Sequence, residues 1–234
     1  QQDKLLIAER YAAWESVARK LAHEIKNPLT PIQLSIDRLR EKFQNKIAEG
    51  QDEFKNYLNT INRQIKDIEN LVNEFSSFAR MPSPIFKPID LNPVIERAVS
   101  FYKMYSKNEI FLNSKKNKNT ISGDVEQLYR VFINLIKNSE DSIDEKKEKN
   151  KLFRGKIIIE IDNNKDYINI TLADNGIGVK DVTKIMTPYF TTKKNGTGLG
   201  LPIVSKIISE HKGELVFSNN NPGAKVLITI PKIN

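Results

Sequence analysis

The 234-residue chain contains no cysteine, which excludes disulfide cross-links and thiolate metal centres and fits a reducing compartment. Long apolar runs are also missing: none approaches the ~18 to 20 residues that a membrane-spanning helix needs. The opening stretch "QQDKLLIAERYAAW" has neither the apolar centre nor the cleavage site of a signal peptide. The chain therefore reads as the cytoplasmic portion of something longer. Histidine occurs only twice, so each one can be weighed separately. Acidic residues are outnumbered, leaving a formal charge of +8 that would suit an anionic partner such as nucleotide, nucleic acid or anionic lipid. Many lysines, however, gather in runs such as "SKKNKN" and "DEKKEKNK", which read as solvated surface. With 39% hydrophobic residues there is material for an ordinary domain and a smaller module.

From Tyr11 to Phe43, apolar or small residues recur at Trp14, Ala18, Leu21, Ile25, Ile32, Leu39 and Phe43, the three-and-four spacing of a coiled-coil seam. A second seam runs through Phe54, Leu58, Ile61, Ile65, Ile68, Leu71 or Val72, Phe75 and Phe78. Between them Gly50 is placed to end one helix and Asp52 to cap the next. Two long helices with a short loop make an antiparallel hairpin, and a seam this long implies pairing with a second copy into a four-helix bundle. Prolines at 82, 84, 88 and 93 then mark a linker. The expected division is a helical domain over 1–80, a linker over 81–90 and a second domain over 91–234.

In that second part, Asn92 and Pro93 read as the cap and first residue of a helix ending near Tyr105. Asp124 opens another through about Glu148, and Gly198 or Leu199 a third ending near His211. Strand-like runs are "EIFLNS", "KIIIEIDN", "YINITLAD", "ELVFSN" and "KVLITIP". Helices interleaved with strands predict an α/β two-layer sandwich with a mixed sheet, giving an α+β chain as a whole.

The stretch "AHEIKNPLTP" sets His23 beside Glu24 and places Pro28 and Pro31 in the same helix. With Ala18, Leu21, Ile25 and Ile32 on the seam, His23 points outward. A neutral imidazole offers a nucleophilic lone pair, and Glu24 can fix its tautomer by accepting from the other ring nitrogen. Neither proline can donate to the carbonyl four residues before it, so the backbone after the pair is loosened and a bend is expected. An outward histidine on its own is more often an ordinary surface residue. His211, in "SEHKGEL", reads as a helix C-terminal residue favoured by the helix dipole.

Asn134, Asn138 and Asp141 form a polar stripe beside the apolar face of the helix from Asp124, with Arg130 and Lys137 alongside. Amide oxygens and a basic flank suit a hydrated magnesium ion carrying phosphates, and equally an ordinary polar helix flank. In "ADNGIGV", Asp174 ends a strand and can accept from an exocyclic amine, while Gly176 and Gly178 permit close approach to a flat ligand. "NGTGLGL" places Gly196, Gly198 and Gly200 before a helix, a cradle of N–H groups for phosphate. It is neither a Walker A loop nor a dinucleotide fingerprint.

The boxes "HEIKNPLTP", "NLIKNSEDSI", "DNGIGV", "PYFTTK" and "GTGLGL", in that order, resemble those of a bacterial two-component sensor histidine kinase from about Arg19 onward. The stretch "ARKLAHEIKNPLTPIQLSIDRLREKF" further resembles the NtrY family of nitrogen-regulation kinases. The resemblance implies a dimerising helical hairpin followed by a Bergerat-type α/β sandwich that binds ATP and Mg2+. It makes His23 the phosphoacceptor, Glu24 its acidic helper, and Asn27 the residue that positions a water for dephosphorylating the partner. It assigns Asn138, supported by Asn134, to the metal, with Lys137 nearby, and Asp174 to the adenine amino group, in a pocket shaped by Gly176 and Gly178. Phe190, Thr191, Thr192 and Lys193 become a lid, with Gly196, Thr197, Gly198, Leu199 and Gly200 its phosphate-binding hinge. The implied partners are a second copy and a response regulator receiver domain, with no direct nucleic-acid contact. Membrane attachment, at an inner membrane, would come only through a missing N-terminal region. Where such kinases often carry alanine after the box asparagine, this chain reads "NSEDSI". The alternative is an ATPase or ATP-gated clamp of the same superfold, which needs no outward histidine.

Overall fold

A computed structural model describes residues 2–47, 49–79, 82–114, 118–179, 181, 185, 191 and 198–233. Side chains at 2–21, 23, 74–75 and 77–79 lie outside that description. The chain divides into two compact units, with the break between Pro82 and Ser83.

The first unit is a hairpin of α1 (Gln2–Phe43) and α2 (Gln51–Ala79). Helix α1 runs through Pro28 and Pro31 without interruption. Gly50, expected to end the first helix, instead opens the second. It has φ +77°, and its carbonyl accepts from the Phe54 N–H at 2.9 Å. Ile36, Leu58 and Ile65 form the buried centre of the hairpin, with Leu29 and Phe54 packed against them, and Ala22 and Val72 are also buried. On α2 the expected seam splits in two, whereas on α1 the residues that face the hairpin, Ala22, Leu29 and Ile36, are not those of the expected seam, of which Ile32 and Leu39 lie exposed. Positions 22, 29 and 36 of α1 and 58, 65 and 72 of α2, seven apart, turn into the hairpin. The intervening set, Ile32, Leu39, Ile61 and Ile68, is between 43% and 45% exposed. Two helices can bury only one edge of a heptad stripe against each other, and the second edge is left on the surface.

The second unit begins before the expected boundary. Strand β1 (Lys87–Asp90) pairs antiparallel with β3 (Thr120–Gly123), so four residues read as linker belong to a small sheet. Asp90, not Asn92, caps α3 (Leu91–Tyr105), accepting from the Asn92 N–H at 3.1 Å. The main sheet has five strands in the order β2-β4-β5-β7-β6. These are β2 (Glu109–Ser114), β4 (Lys156–Asn163), β5 (Tyr167–Asp174), β6 (Glu214–Asn219) and β7 (Ala224–Pro231). The β2–β4 pair is parallel and the others are antiparallel. Alternation gives one face to the core: Ile157, Ile159 and Ile161 of β4, Ile168, Ile170 and Leu172 of β5, and Val226, Ile228 and Ile230 of β7 are all buried. Buried side chains of α3, of α4 (Val125–Lys149) and of α5 (Gly200–Glu210) complete the core. Helix α4 starts where the sequence places it, with Asp124 accepting from the N–H groups of Glu126 and Gln127.

His211 is not the charged helix end expected of it. It is 3% exposed, its Nδ1 donates to the Ile207 carbonyl at 2.7 Å, and its Nε2 accepts from the Asp124 N–H at 3.0 Å. A ring that donates at one nitrogen and accepts at the other is neutral. Burial pushes its pKa below the ordinary histidine value. The same junction gathers the incoming chain, because the Ile85 N–H donates to the Asp124 carboxylate and the Phe86 ring meets His211 edge-on. Since the folded ring is harder to protonate than the unfolded one, its contribution is complete above the unfolded value of about 6.5 and is lost as pH falls below it. His211→Ala should destabilise the second unit by about 2 to 4 kcal/mol through the orphaned Asp124 N–H and the cavity. In calorimetric melts from pH 7.5 to 5, the parent should lose more of its thermal midpoint than His211→Gln, and parallel losses would remove His211 from the acid sensitivity.

Candidate nucleotide-binding site

Strand β5 ends at Asp174, where the chain turns. Asp174 is 5% exposed. Its Oδ1 accepts from the Gly176 N–H at 2.8 Å and the Ala224 N–H at 3.3 Å, and its Oδ2 from the Ser139 hydroxyl at 3.2 Å. Burial raises its pKa above the ordinary carboxylate value, while these three bonds and the Lys146 charge act in the opposite direction.

The loop after Asp174 is fastened on several sides. Lys146 of α4 donates to the carbonyls of Asn175 and Gly176 at 2.7 and 3.0 Å, with its ammonium 4.4 Å from the centre of the Phe153 ring. Asn175 donates through Nδ2 to the Arg154 carbonyl and accepts at Oδ1 from the Lys156 N–H. The Ile177 N–H reaches the Ser142 hydroxyl at 3.1 Å. Asn219 holds Val179 by a two-way amide contact, accepting from its N–H and donating to its carbonyl. Beside this loop lies a cavity of about 460 Å³, lined by Lys146, Gly176, Ile177, Asn219 and Gly223 among others.

Two glycines are dictated by these contacts. A Cβ on Gly176 would fall 2.2 Å from the Ser142 Oγ and 2.7 Å from the Ser142 carbonyl carbon. On Gly223, which has φ +98°, it would fall 1.9 Å from the Asp174 carbonyl oxygen. Gly223 stands outside the expected motif. Its constraint comes from a strand that ends 49 residues earlier in the chain.

The asparagine stripe lies on the same helix. Asn134 donates through Nδ2 to the Arg130 carbonyl at 2.9 Å, and a Cβ on Gly200 would lie 3.3 Å from its amide oxygen. Asn134 thus sets an oxygen against the first turn of α5, a helix that Leu199 opens without a side-chain cap. Amide oxygen beside a helix N-terminus fits a magnesium ion that arrives on the phosphates of a nucleotide. Asn138 and Asp141 are half-buried on this stripe. Lys137 is exposed and, two residues from Ser139, points about 160° away from it at ~100° per residue. Leu199 is fully buried in the core, so only its backbone can serve a ligand. Gly198 takes a φ of +69° and Thr191 is exposed. Phe190, Thr192, Lys193, Gly196 and Thr197 lie outside the described residues, as does the side chain of His23, while Glu24 and Asn27 are exposed on α1.

Two family profiles account for the two units. Residues 13–84 match the His Kinase A phospho-acceptor domain, and residues 123–234 match the histidine kinase-, DNA gyrase B- and HSP90-like ATPase domain. A Rickettsia bellii protein named as an NtrY-like sensor histidine kinase is 40% identical over 230 residues, 97% of this chain and 37% of that protein. The chain belongs to the sensor histidine kinases. The nitrogen regulation protein NtrY of Azorhizobium caulinodans is 36% identical over 97% of this chain and 30% of its own length. The kinase chain therefore spans about a third of the length of these relatives. Among solved structures, histidine kinase ThkA in complex with response regulator protein TrrA matches over 97% of this chain and 64% of that chain, at 23% identity and a TM-score of 0.65. The full-length ShkA structure in complex with AMPPNP matches over 92% of this chain and 45% of that chain, at 19% identity and a TM-score of 0.66. Both likenesses concern the fold alone. The ATPase-type domain makes this an ATP-binding chain.

Gly176→Ala and Gly223→Ala should each lower ATP affinity by at least ~10-fold and destabilise the second unit by about 2 kcal/mol or more, since neither Cβ has room. Titration calorimetry with ATP and thermal melts check this. Parent-like affinity in Gly223→Ala would show that the turn relaxes without moving Asp174.

Proposed function

We propose that this chain phosphorylates itself on His23 from Mg-ATP and passes the phosphoryl group to an aspartate of a response regulator receiver domain. The observation that carries the reading is the coexistence, in one chain, of a histidine-bearing helix whose apolar stripe is half unpartnered and an ATP-binding unit built around the Asp174 carboxylate. A stand-alone ATPase or clamp needs the second and has no use for the first.

The adenine amino group donates to Asp174, in a pocket shaped by Gly176 and Gly178. The phosphates lie towards the first turn of α5 and Gly198, with lid residues Thr191, Phe190, Thr192 and Lys193 closing over them. Asn138 and Asn134 would hold a magnesium ion, which would supply neutralisation of phosphate charge. A ring nitrogen of His23 forms the N–P bond as the bond to the β,γ-bridging oxygen breaks, and ADP leaves with that electron pair. The ring proton on the other nitrogen passes to Glu24. An aspartate oxygen of the regulator then attacks the phosphorus, the N–P bond breaks, and the proton returned from Glu24 restores the neutral imidazole. Asn27, exposed one turn after His23, can donate to and accept from a water directed at the phosphorylated regulator, giving the same surface a phosphatase role.

The partner for the exposed stripe is a second copy. Ile32 and Leu39 on α1 and Ile61 and Ile68 on α2 continue the heptad register of the buried set, which is what a four-helix bundle shared by two hairpins requires. Among the described residues no helix is long and apolar enough to cross a membrane. In the proposal, attachment to an inner membrane resides in parts of the protein outside this chain.

Incubation with labelled ATP should place label on the parent that acid removes and base spares, as for a phosphoramidate. His23→Gln should carry no label yet bind ATP within about twofold of the parent. Full labelling of that variant would move the phosphoacceptor elsewhere, and ATP hydrolysis with no label on the parent would favour the clamp.

Ile32→Asp combined with Ile61→Asp should turn the dimer into a monomer by light scattering, with nucleotide affinity unchanged, because a charge on the shared face cannot be buried without a counter-charge. A persistent dimer would place the contact on another surface.

A further inference from the structure

We infer that Ser139 and Lys146, seven residues apart on α4, keep the Asp174 carboxylate a pure hydrogen-bond acceptor and so set the preference for a purine bearing an amino group at C6 over one bearing a carbonyl. The inference rests on the reading of Asp174 as the adenine contact. A C6 amino group donates, and an ionised carboxylate can only accept. A C6 carbonyl accepts, and is satisfied only by a carboxyl that carries a proton.

Which form Asp174 takes is a contest decided by its neighbours. At 5% exposure, burial favours the protonated carboxyl. Both backbone donors, Gly176 and Ala224, go to Oδ1. Oδ2 receives the Ser139 hydroxyl, so Ser139 governs the oxygen that the backbone leaves alone. Lys146 adds a positive charge from the other side, fixed by the carbonyls of Asn175 and Gly176 immediately after the carboxylate. The backbone donors come with the fold whatever side chains are present. Ser139 and Lys146 are the contributions that sequence can change.

The other charged groups nearby are otherwise placed. Glu145 and Lys149 of α4 line the cavity beyond the glycine loop. On β4, the Lys156 ammonium lies 4.8 Å from the centre of the Phe111 ring. Lys225 follows Ala224 on β7, half-buried, and Asp141 of α4 is half-buried on the asparagine stripe.

The test is the affinity of the 234-residue chain for ATP and for GTP, by titration calorimetry between pH 5.5 and 8.5. The set comprises the parent, Asp174→Asn, Ser139→Ala, Ser139→Thr, Lys146→Gln and Lys146→Arg, each checked for folding by circular dichroism. ATP affinity should fall as acid protonates Asp174. In Ser139→Ala and Lys146→Gln that fall should move to higher pH, and the ATP-over-GTP ratio should drop by about tenfold, the scale of one charge-assisted hydrogen bond. Ser139→Thr and Lys146→Arg should recover both properties. Equal weakening of ATP and GTP with an unmoved pH profile would overturn the inference, leaving the pair as packing residues. If Ser139→Ala does not fold, the half-buried Lys146 carries the same comparison through its Gln and Arg variants. Loss of ATP affinity in Asp174→Asn, with parent-like Ser139→Ala and Lys146→Gln, would overturn the inference alone. Parent-like ATP affinity in Asp174→Asn would overturn the adenine reading and the inference together.

Discussion

A carboxylate taken almost entirely out of water is the constraint around which the ATP-binding unit is organised. Burying an unpaired charge is prohibitive, so the fold must bring donors to Asp174 from places that are far apart in the chain. Helix α4 supplies a hydroxyl 35 residues before it, the turn into β7 supplies an N–H 50 residues after it, and the loop that follows Asp174 turns back with a third. Each donor fixes another feature. The backbone must pass so close to α4 that position 176 has no room for a Cβ, and the β6–β7 turn must press on the Asp174 carbonyl so closely that position 223 has none either. Gly176 and Gly223 are consequences of satisfying one charge.

The helical unit is governed by a different limit. Its heptad stripe carries more apolar surface than one neighbouring helix can cover. The hairpin takes the residues that lie towards its own partner, Ile36 against Leu58 and Ile65, and leaves Ile32, Leu39, Ile61 and Ile68 at the surface. At about 25 cal/mol per Å² of apolar area, leaving four large side chains half in water forgoes several kcal/mol unless another chain covers them. The hairpin and the proposed dimer are thus two uses of a single repeat.

Much of the fold was legible because it is local. The strands "EIFLNS", "KIIIEIDN" and "YINITLAD" are short runs rich in isoleucine and match β2, β4 and β5 residue for residue. Asp124 announces α4 because a cap bonds two or three residues ahead. What escaped depends on distant partners. β1 contains Pro88 and spans four residues, too few to show a period, and exists because β3 lies beside it. The split of the coiled-coil seam cannot be read from one helix, since spacing does not say which edge meets which neighbour. His211 sits where a dipole-stabilised cation is expected, yet it is held neutral by a donor 87 residues away. In the site, Asp174 and its glycines were visible as a motif, whereas the hydroxyl of Ser139 read as a deviation in a helix box and Lys146 as one more surface lysine.

Helix α4 also carries the consequences of His211 towards the nucleotide loop. Its N-cap, Asp124, is bound at the carboxylate by the Ile85 N–H of the arriving chain, while its own N–H is tied to His211 at the end of α5. Fifteen residues on, the same helix presents Ser139 to Asp174, and Lys146 follows two turns later. A helix of 25 residues, packed by eight buried positions, transmits displacement along its axis because its backbone hydrogen bonds resist stretching. Ile85 is therefore fastened to the cap of the helix that presents Ser139 to Asp174. A shift of Ile85 and Phe86 has to be absorbed either by breaking the Asp124 contacts or by moving α4 as a body. The first costs the Ile85 bond to the Asp124 carboxylate, and the second displaces Ser139 relative to Asp174.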